Sequence, residues 1–205
     1  MFPGFLTPDI HVDNRALNGR STRSFRNEGH WELVRKKLRK GDYVFIQFGH
    51  NDQKADTARH SDAETDYKIN LGKYIDETRK VGAIPVLFTP IVRRKFNPNG
   101  TLADTHGKYT DAVRTVAKEK QVLLIDLNKM SAGLLEKYGP EKSTFLFVWV
   151  EPGIYAALPK GKQDNTHLNV RGARLIARMV AEAIKETIPA LAPHIVMYDY
   201  VVAKD

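Results

Sequence analysis

With 205 residues, 42% of them hydrophobic, the chain is long enough for one domain with a substantial core and too short for two of ordinary size, so a single domain over residues 1–205 is expected. The lack of cysteine excludes disulfides and thiolate zinc sites, and no apolar run approaches the roughly 20 residues of a membrane helix, so no membrane partner is expected. The net charge of +8 invites a nucleic-acid partner, but the densest basic run, residues 35–40, falls at the C-terminal end of a short helical pattern, where cations offset the helix dipole, and no nucleic acid is expected.

In chain order, residues 1–5 show no basic region leading into a long apolar stretch and cleavage site. A short strand is expected at about residues 11–14, followed by the loop Asn14-Arg15-Ala16-Leu17-Asn18-Gly19-Arg20-Ser21. Trp31, Val34 and Leu38 make one helical stripe. Residues 42–48 read as a buried strand ending in Phe48-Gly49-His50-Asn51-Asp52. Tyr67, Leu71, Tyr74, Ile75 and Thr78 form a second stripe, started by the capping box Ser61-Asp62-Ala63-Glu64 and stopped near Gly82. Residues 84–89 and 122–127 are further buried strands, separated by a helix marked by Tyr109, Ala112, Val113 and Val116. A short helix follows through Met130, Leu134, Leu135 and Tyr138, and a last one, capped by Asn169, through Ala173, Ile176, Ala177, Val180 and Ile184. Strands alternating with helices are the pattern of parallel β-α-β construction.

Asp164-Asn165-Thr166-His167 precedes the last helix and is half of a hydrolase triad. An Asp at that spacing can accept from one ring nitrogen of His167, fix its tautomer and stabilise the imidazolium formed when the other nitrogen takes a proton. Ligands of open α/β sheets bind beyond the carboxyl ends of strands, so a side-chain amide at Asn51 and a backbone N–H at Gly19 are candidate oxyanion donors. His50 and Asp52 read as supports for the loop carrying Asn51, with His50 also a candidate substrate contact. No metal site is expected, since two residues at i and i+2 are a poor site without a third ligand. The loop of residues 92–100 carries Arg93 and Arg94 as candidate substrate contacts, and residues 145–163 form a second candidate contact. Asn97-Pro98-Asn99-Gly100 is a turn by its own chemistry.

Gly19, Gly49-His50-Asn51-Asp52 and Asp164-Asn165-Thr166-His167 resemble blocks two, three and five of the SGNH or GDSL hydrolases. Asn18-Gly19-Arg20-Ser21 with Phe48-Gly49-His50-Asn51-Asp52 is most similar to the rhamnogalacturonan acetylesterase branch, and the likeness runs over nearly the whole chain. It implies a three-layer α/β/α flavodoxin-like fold with a parallel sheet, no cofactor, a periplasmic or secreted setting, and an acetylated polysaccharide or oligosaccharide as substrate. A basic surface would also help steer an acidic pectin. The implied chemistry is removal of O-acetyl groups from a pectic polysaccharide such as rhamnogalacturonan, with His167 as base, Asp164 as its partner, and Gly19 and Asn51 binding the oxyanion.

The family's first block, Gly-Asp-Ser at the end of a first strand, has no counterpart. Gly41-Asp42-Tyr43 holds the only Gly-Asp, at the start of a strand, and Ser21 in Gly19-Arg20-Ser21-Thr22-Arg23 fails the Gly-x-Ser-x-Gly elbow. The chain is therefore expected to lack its first strand and nucleophile and, as given, to be inactive. The rivals are a lipase or thioesterase on the same scaffold, to which the polar basic loop of residues 92–100 is ill suited, and a non-catalytic carbohydrate-binding protein.

Overall fold

In the computed structural model, which describes residues 2–197, contacts divide the chain into two units. A sheet unit holds residues 14–95 and 102–133, and a hairpin unit holds residues 2–13, 96–101 and 134–197.

The sheet unit opens with two short helices, α1 (Thr22–Asn27) and α2 (His30–Arg35). Its parallel sheet joins β1 (Tyr43–Gln47), β2 (Ile84–Phe88) and β3 (Leu123–Ile125) in that order, with Tyr43 opposite Ile84 and Val86 opposite Leu123. Between the strands run α3 (Asp66–Lys80) and α4 (Lys108–Glu119), which pack on each other and on β2. The apolar stripe of α3 explains its place: Tyr67, Leu71, Tyr74 and Ile75 are fully buried among Phe25, Trp31, Leu87 and Val113. Each such side chain contributes roughly 1.5–3 kcal/mol relative to exposure. The expected α/β architecture with a parallel sheet is present.

From β3 the chain enters α5 (Leu127–Lys142), broken at Gly139, where φ is 72° and Pro140 follows. In the hairpin unit, β4 (Phe147–Val150) pairs antiparallel with β5 (Lys162–Leu168), which leads into α6 (Val170–Thr187). Asn169 caps α6 as expected, its side chain accepting from Gly172 N at 3.0 Å. The buried face of α6, with Ala177, Val180, Ala181 and Ile184, sits in the same unit as buried Phe5, Leu146 and Phe147. Leu6 bridges Ile195, which ties the two ends of the described chain together.

Four expectations are corrected. Residues 11–14 form no strand; His11, Asp13 and Asn14 are exposed polar residues, and among the described residues no neighbour offers them a ladder. The Ser61 capping box does not form: Asp62 instead accepts from the backbone of Glu64 and Thr65, and α3 starts later, at Asp66. Ser61 is drawn away to the Asp52 loop, where its N–H bonds Asp52 O. β1 is less buried than its apolar sequence suggests, because it is a sheet edge; Phe45 stays 38% exposed. The stretch of residues 145–163, read as one connection, contains β4 and the start of β5.

Candidate active site

The Asp164–His167 pair is built by an irregularity in the hairpin. Phe147 faces Leu168 and Trp149 faces Gln163, so two steps along β4 match five along β5, and the surplus residues bulge outward. The bulge is closed by Asp164 itself: Oδ1 accepts from Thr166 N at 2.8 Å and His167 N at 2.9 Å. Its Oδ2 meets His167 Nδ1 at 2.8 Å and Lys162 Nζ at 3.1 Å. Burial works to raise the Asp164 carboxyl, but the backbone N–H groups of His167 and Thr166, the His167 ring and Lys162 outweigh it and hold the group well below the ordinary carboxylate range. The carboxylate is thus an ionised acceptor fixed on Nδ1, while the His167 side chain is 72% exposed. That arrangement leaves the imidazole edge able to exchange a proton with a substrate.

The sheet unit brings Gly19 and Asn51 together. Gly19 has φ of 77° and open space where a Cβ would stand, so the glycine is required by the backbone conformation and not by crowding. The residues on either side of it are pinned: Arg20 Nη1 donates to Asn18 O at 2.9 Å, Arg20 Nε bonds Glu28 at 2.8 Å, and Asn51 Nδ2 donates to Arg20 O at 3.2 Å. One amide hydrogen of Asn51 is spent on that link, and the side chain has a second to offer. Asp52, fully buried, cross-links the two loops by accepting from Thr22 N at 2.9 Å, from the Thr22 hydroxyl, and from Gly49 N at 3.1 Å. Burial pushes its carboxyl above the usual range despite these bonds.

Arg93 is turned inward. Its Nη2 donates to His50 O and its Nη1 to Thr105 O, both at 3.2 Å, and Gln53 Nε2 donates to the same Thr105 carbonyl at 3.2 Å. The residues flanking Asn51 and Asp52 are therefore held to the segment before α4. His106 completes that buttress: its buried ring lies 4.4 Å from the His50 ring, and burial together with Arg93 pushes its pKa down to about 4. Arg94, next to Arg93 in sequence, is half-buried. The roles of Arg93 and His106 have no local signal in the sequence, because their contacts join residues far apart along the chain. Residues 97–100 form the expected turn, with Gly100 N bonded to Asn97 O at 2.9 Å.

All five serines, Ser21, Ser24, Ser61, Ser131 and Ser143, are buried. Ser21 caps α1 in a reciprocal box with Ser24: Ser24 N donates to Ser21 Oγ at 3.1 Å and Ser21 N to Ser24 Oγ at 2.9 Å. Ser131 Oγ is tied to Leu127 O at 2.7 Å. Among the described residues, no group of three or more His, Asp or Glu is placed to hold a metal ion. The two parts of the candidate site lie in different units, Asp164 and His167 in the hairpin unit and Gly19, His50, Asn51, Arg93 and Arg94 in the sheet unit.

Comparison with known proteins adds to this geometry. The model of the GDSL-like lipase/acylhydrolase family matches residues 4–175. The rhamnogalacturonan acetylesterase RhgT of Bacillus subtilis (strain 168) is 40% identical over 196 residues, which is 96% of this chain and 83% of that protein. The probable rhamnogalacturonan acetylesterase YesY of the same organism is 35% identical over 182 residues, 88% of this chain and 79% of that one. Among solved structures, protein YxiM of Bacillus subtilis matches with a TM-score of 0.75 at 28% identity, covering 91% of this chain; the chain spans about half of that protein, 49%.

Proposed function

Because the chain belongs to the GDSL-like lipase/acylhydrolase family, a family of ester hydrolases, we propose that it acts in the removal of O-acetyl groups from a pectic polysaccharide such as rhamnogalacturonan. The observation that carries this is the Asp164–His167 pair, with one imidazole nitrogen fixed by an ionised carboxylate and the ring otherwise open to solvent. In acyl transfer, His167 takes the proton of an attacking serine and returns it to the leaving sugar oxygen, and Asp164 steadies the imidazolium between the two steps. Gly19 N–H and the Asn51 amide stabilise the oxyanion. Arg93 and His106 support the loop that carries Asn51, and Arg94 and His50 are substrate contacts. We take residues 1–205 to work as one domain.

The second reading, carbohydrate binding without turnover, is favoured by the five buried serines, none of which offers a hydroxyl to a substrate. The two are separated by measuring acetate release and polysaccharide retention side by side. The 205-residue chain should retain acetylated rhamnogalacturonan and release no acetate. A form that also carries the family's Gly-Asp-Ser block should release it, lose it on His167→Ala, and lose roughly two to three orders of magnitude in turnover on Asn51→Ala. Full activity in His167→Ala would refute the base assignment.

A further inference from the structure

The exposed side of the β4–β5 hairpin carries groups that acyl transfer does not use. Trp149 is half-buried on β4, opposite Gln163 in the ladder, and its indole Nε1 donates to Asn165 Oδ1 at 3.0 Å. Gln163 and Asn165 are exposed, and so is His167 two residues further along the same strand. The other tryptophan, Trp31, is buried in the sheet unit with its Nε1 bonded to Glu77, so the two indoles stand in opposite environments.

We propose that Trp149, with the carboxamides of Gln163 and Asn165, forms a binding subsite for a pyranose ring of the polysaccharide next to His167. This subsite rests on the proposed carbohydrate-esterase function. The chemistry of the three side chains fits a sugar ring. An indole face carries the negative side of its quadrupole and packs against the partly positive C–H hydrogens on one face of a pyranose, while excluding water from them. Carboxamides both donate and accept without charge, which matches ring hydroxyls. An aromatic surface with a few convergent polar groups is the usual make-up of a small-ligand site. The bond from Nε1 to Asn165 holds the indole in one orientation before any ligand arrives, so little rotamer freedom remains to be lost on binding. Asn165 and His167 are two strand residues apart, at most about 7 Å along the backbone, so a ring on Trp149 would place its neighbour in the chain within reach of the imidazole.

The two tryptophans make the test direct. In the 205-residue chain, acrylamide should quench Trp149 and spare buried Trp31. An acetylated rhamnogalacturonan hexasaccharide should protect the quenchable fraction in a saturable manner. Trp149→Ala, confirmed folded by its thermal transition, should weaken the hexasaccharide roughly tenfold or more, and Trp149→Phe, which keeps an aromatic face without the Asn165 bond, should fall between. Unchanged quenching at saturating hexasaccharide, or undiminished affinity in folded Trp149→Ala, overturns the subsite; should Trp149→Ala fail to fold, the protection measurement on the unaltered chain decides alone. Saturable protection, with no acetate released even by the form that also carries the family's Gly-Asp-Ser block, would leave the subsite standing and sink the proposed activity. Acetate release by that form without any change at Trp149 would do the reverse.

Discussion

The Asp164 carboxylate receives hydrogen bonds from two backbone N–H groups and the ring of His167, and lies 3.1 Å from Lys162 Nζ. These contacts serve the fold and the chemistry together, since the bonds that close the bulge in β5 are also those that keep the carboxylate ionised against His167 Nδ1. The consequence for stability has a definite sign. A carboxyl whose folded-state pKa lies below its unfolded value contributes stability that is complete above the ordinary carboxylate pKa and is lost as pH falls through the lowered one. Asp164→Asn retains a carbonyl acceptor but loses the charge, and should cost on the order of 2 kcal/mol near neutral pH. Urea titrations across pH should show that deficit shrinking as the pH falls below the ordinary carboxylate pKa of about 4, where the unfolded chain takes up a proton that the folded carboxylate still refuses. A deficit that stays constant down to the lowest pH tested would mean that the side-chain charge does not support the bulge.

At the scale of elements, the start of α6 is a tight junction in the hairpin unit. A Cβ on Gly172 would lie 2.1 Å from Leu146 O, 2.9 Å from Leu146 C and 3.0 Å from Leu168 Cδ2. Alanine gains about 1 kcal/mol over glycine in helix propensity, but a backbone overlap of that size forces the first turn of α6 away from the end of β5. Gly172→Ala should therefore lower stability by roughly 2–4 kcal/mol, read as a fall in the thermal midpoint, and should broaden the His167 ring resonances as the strand end loosens. A stabilised protein would show that α6 has room to shift. This junction also marks what sequence alone could reveal. The stripe of α6 and its Asn169 cap are local patterns, as are the stripes of α3 and α4 and the spacing of Asp164 and His167. β5 was hidden because Lys162-Gln163-Asp164-Asn165-Thr166-His167 has no apolar alternation, and its bulged pairing with β4 is decided by side-chain bonds. The failed capping box at Ser61 has a similar cause, since Ser61 N donates to Asp52 O at 3.0 Å and Asn70 Nδ2 donates to Ser61 Oγ at 3.4 Å, so tertiary bonds take both groups that the box would use. Arg93 read as a candidate substrate contact in the sequence, and its bond to the carbonyl of His50, 43 residues away, has no local pattern that could announce it.

For the whole molecule, the parallel sheet exposes two edges of unequal risk. β3 is only three residues long, whereas β1 has five, pairs only with β2 among the described residues, and leaves Phe45 38% exposed. A long edge strand with an exposed aromatic is a template for pairing with another copy, and nothing in Tyr43-Val44-Phe45-Ile46-Gln47 supplies the lysine, proline or bulge that usually blunts such an edge. What opposes association is the net charge of +8, which makes copies repel one another. The two effects respond differently to salt. At physiological ionic strength the Debye length is about 8 Å, so added salt screens the repulsion between copies while leaving strand pairing and apolar contact intact. Sedimentation velocity should therefore show a species larger than the monomer that grows with both protein and salt concentration. Phe45→Lys should suppress it, at a cost of about 1 kcal/mol from the lost ring contact with Phe88, whose centroid lies 5.3 Å away. Association that weakens as salt rises would identify complementary charges as its cause, and equal association in Phe45→Lys would move the contact away from β1.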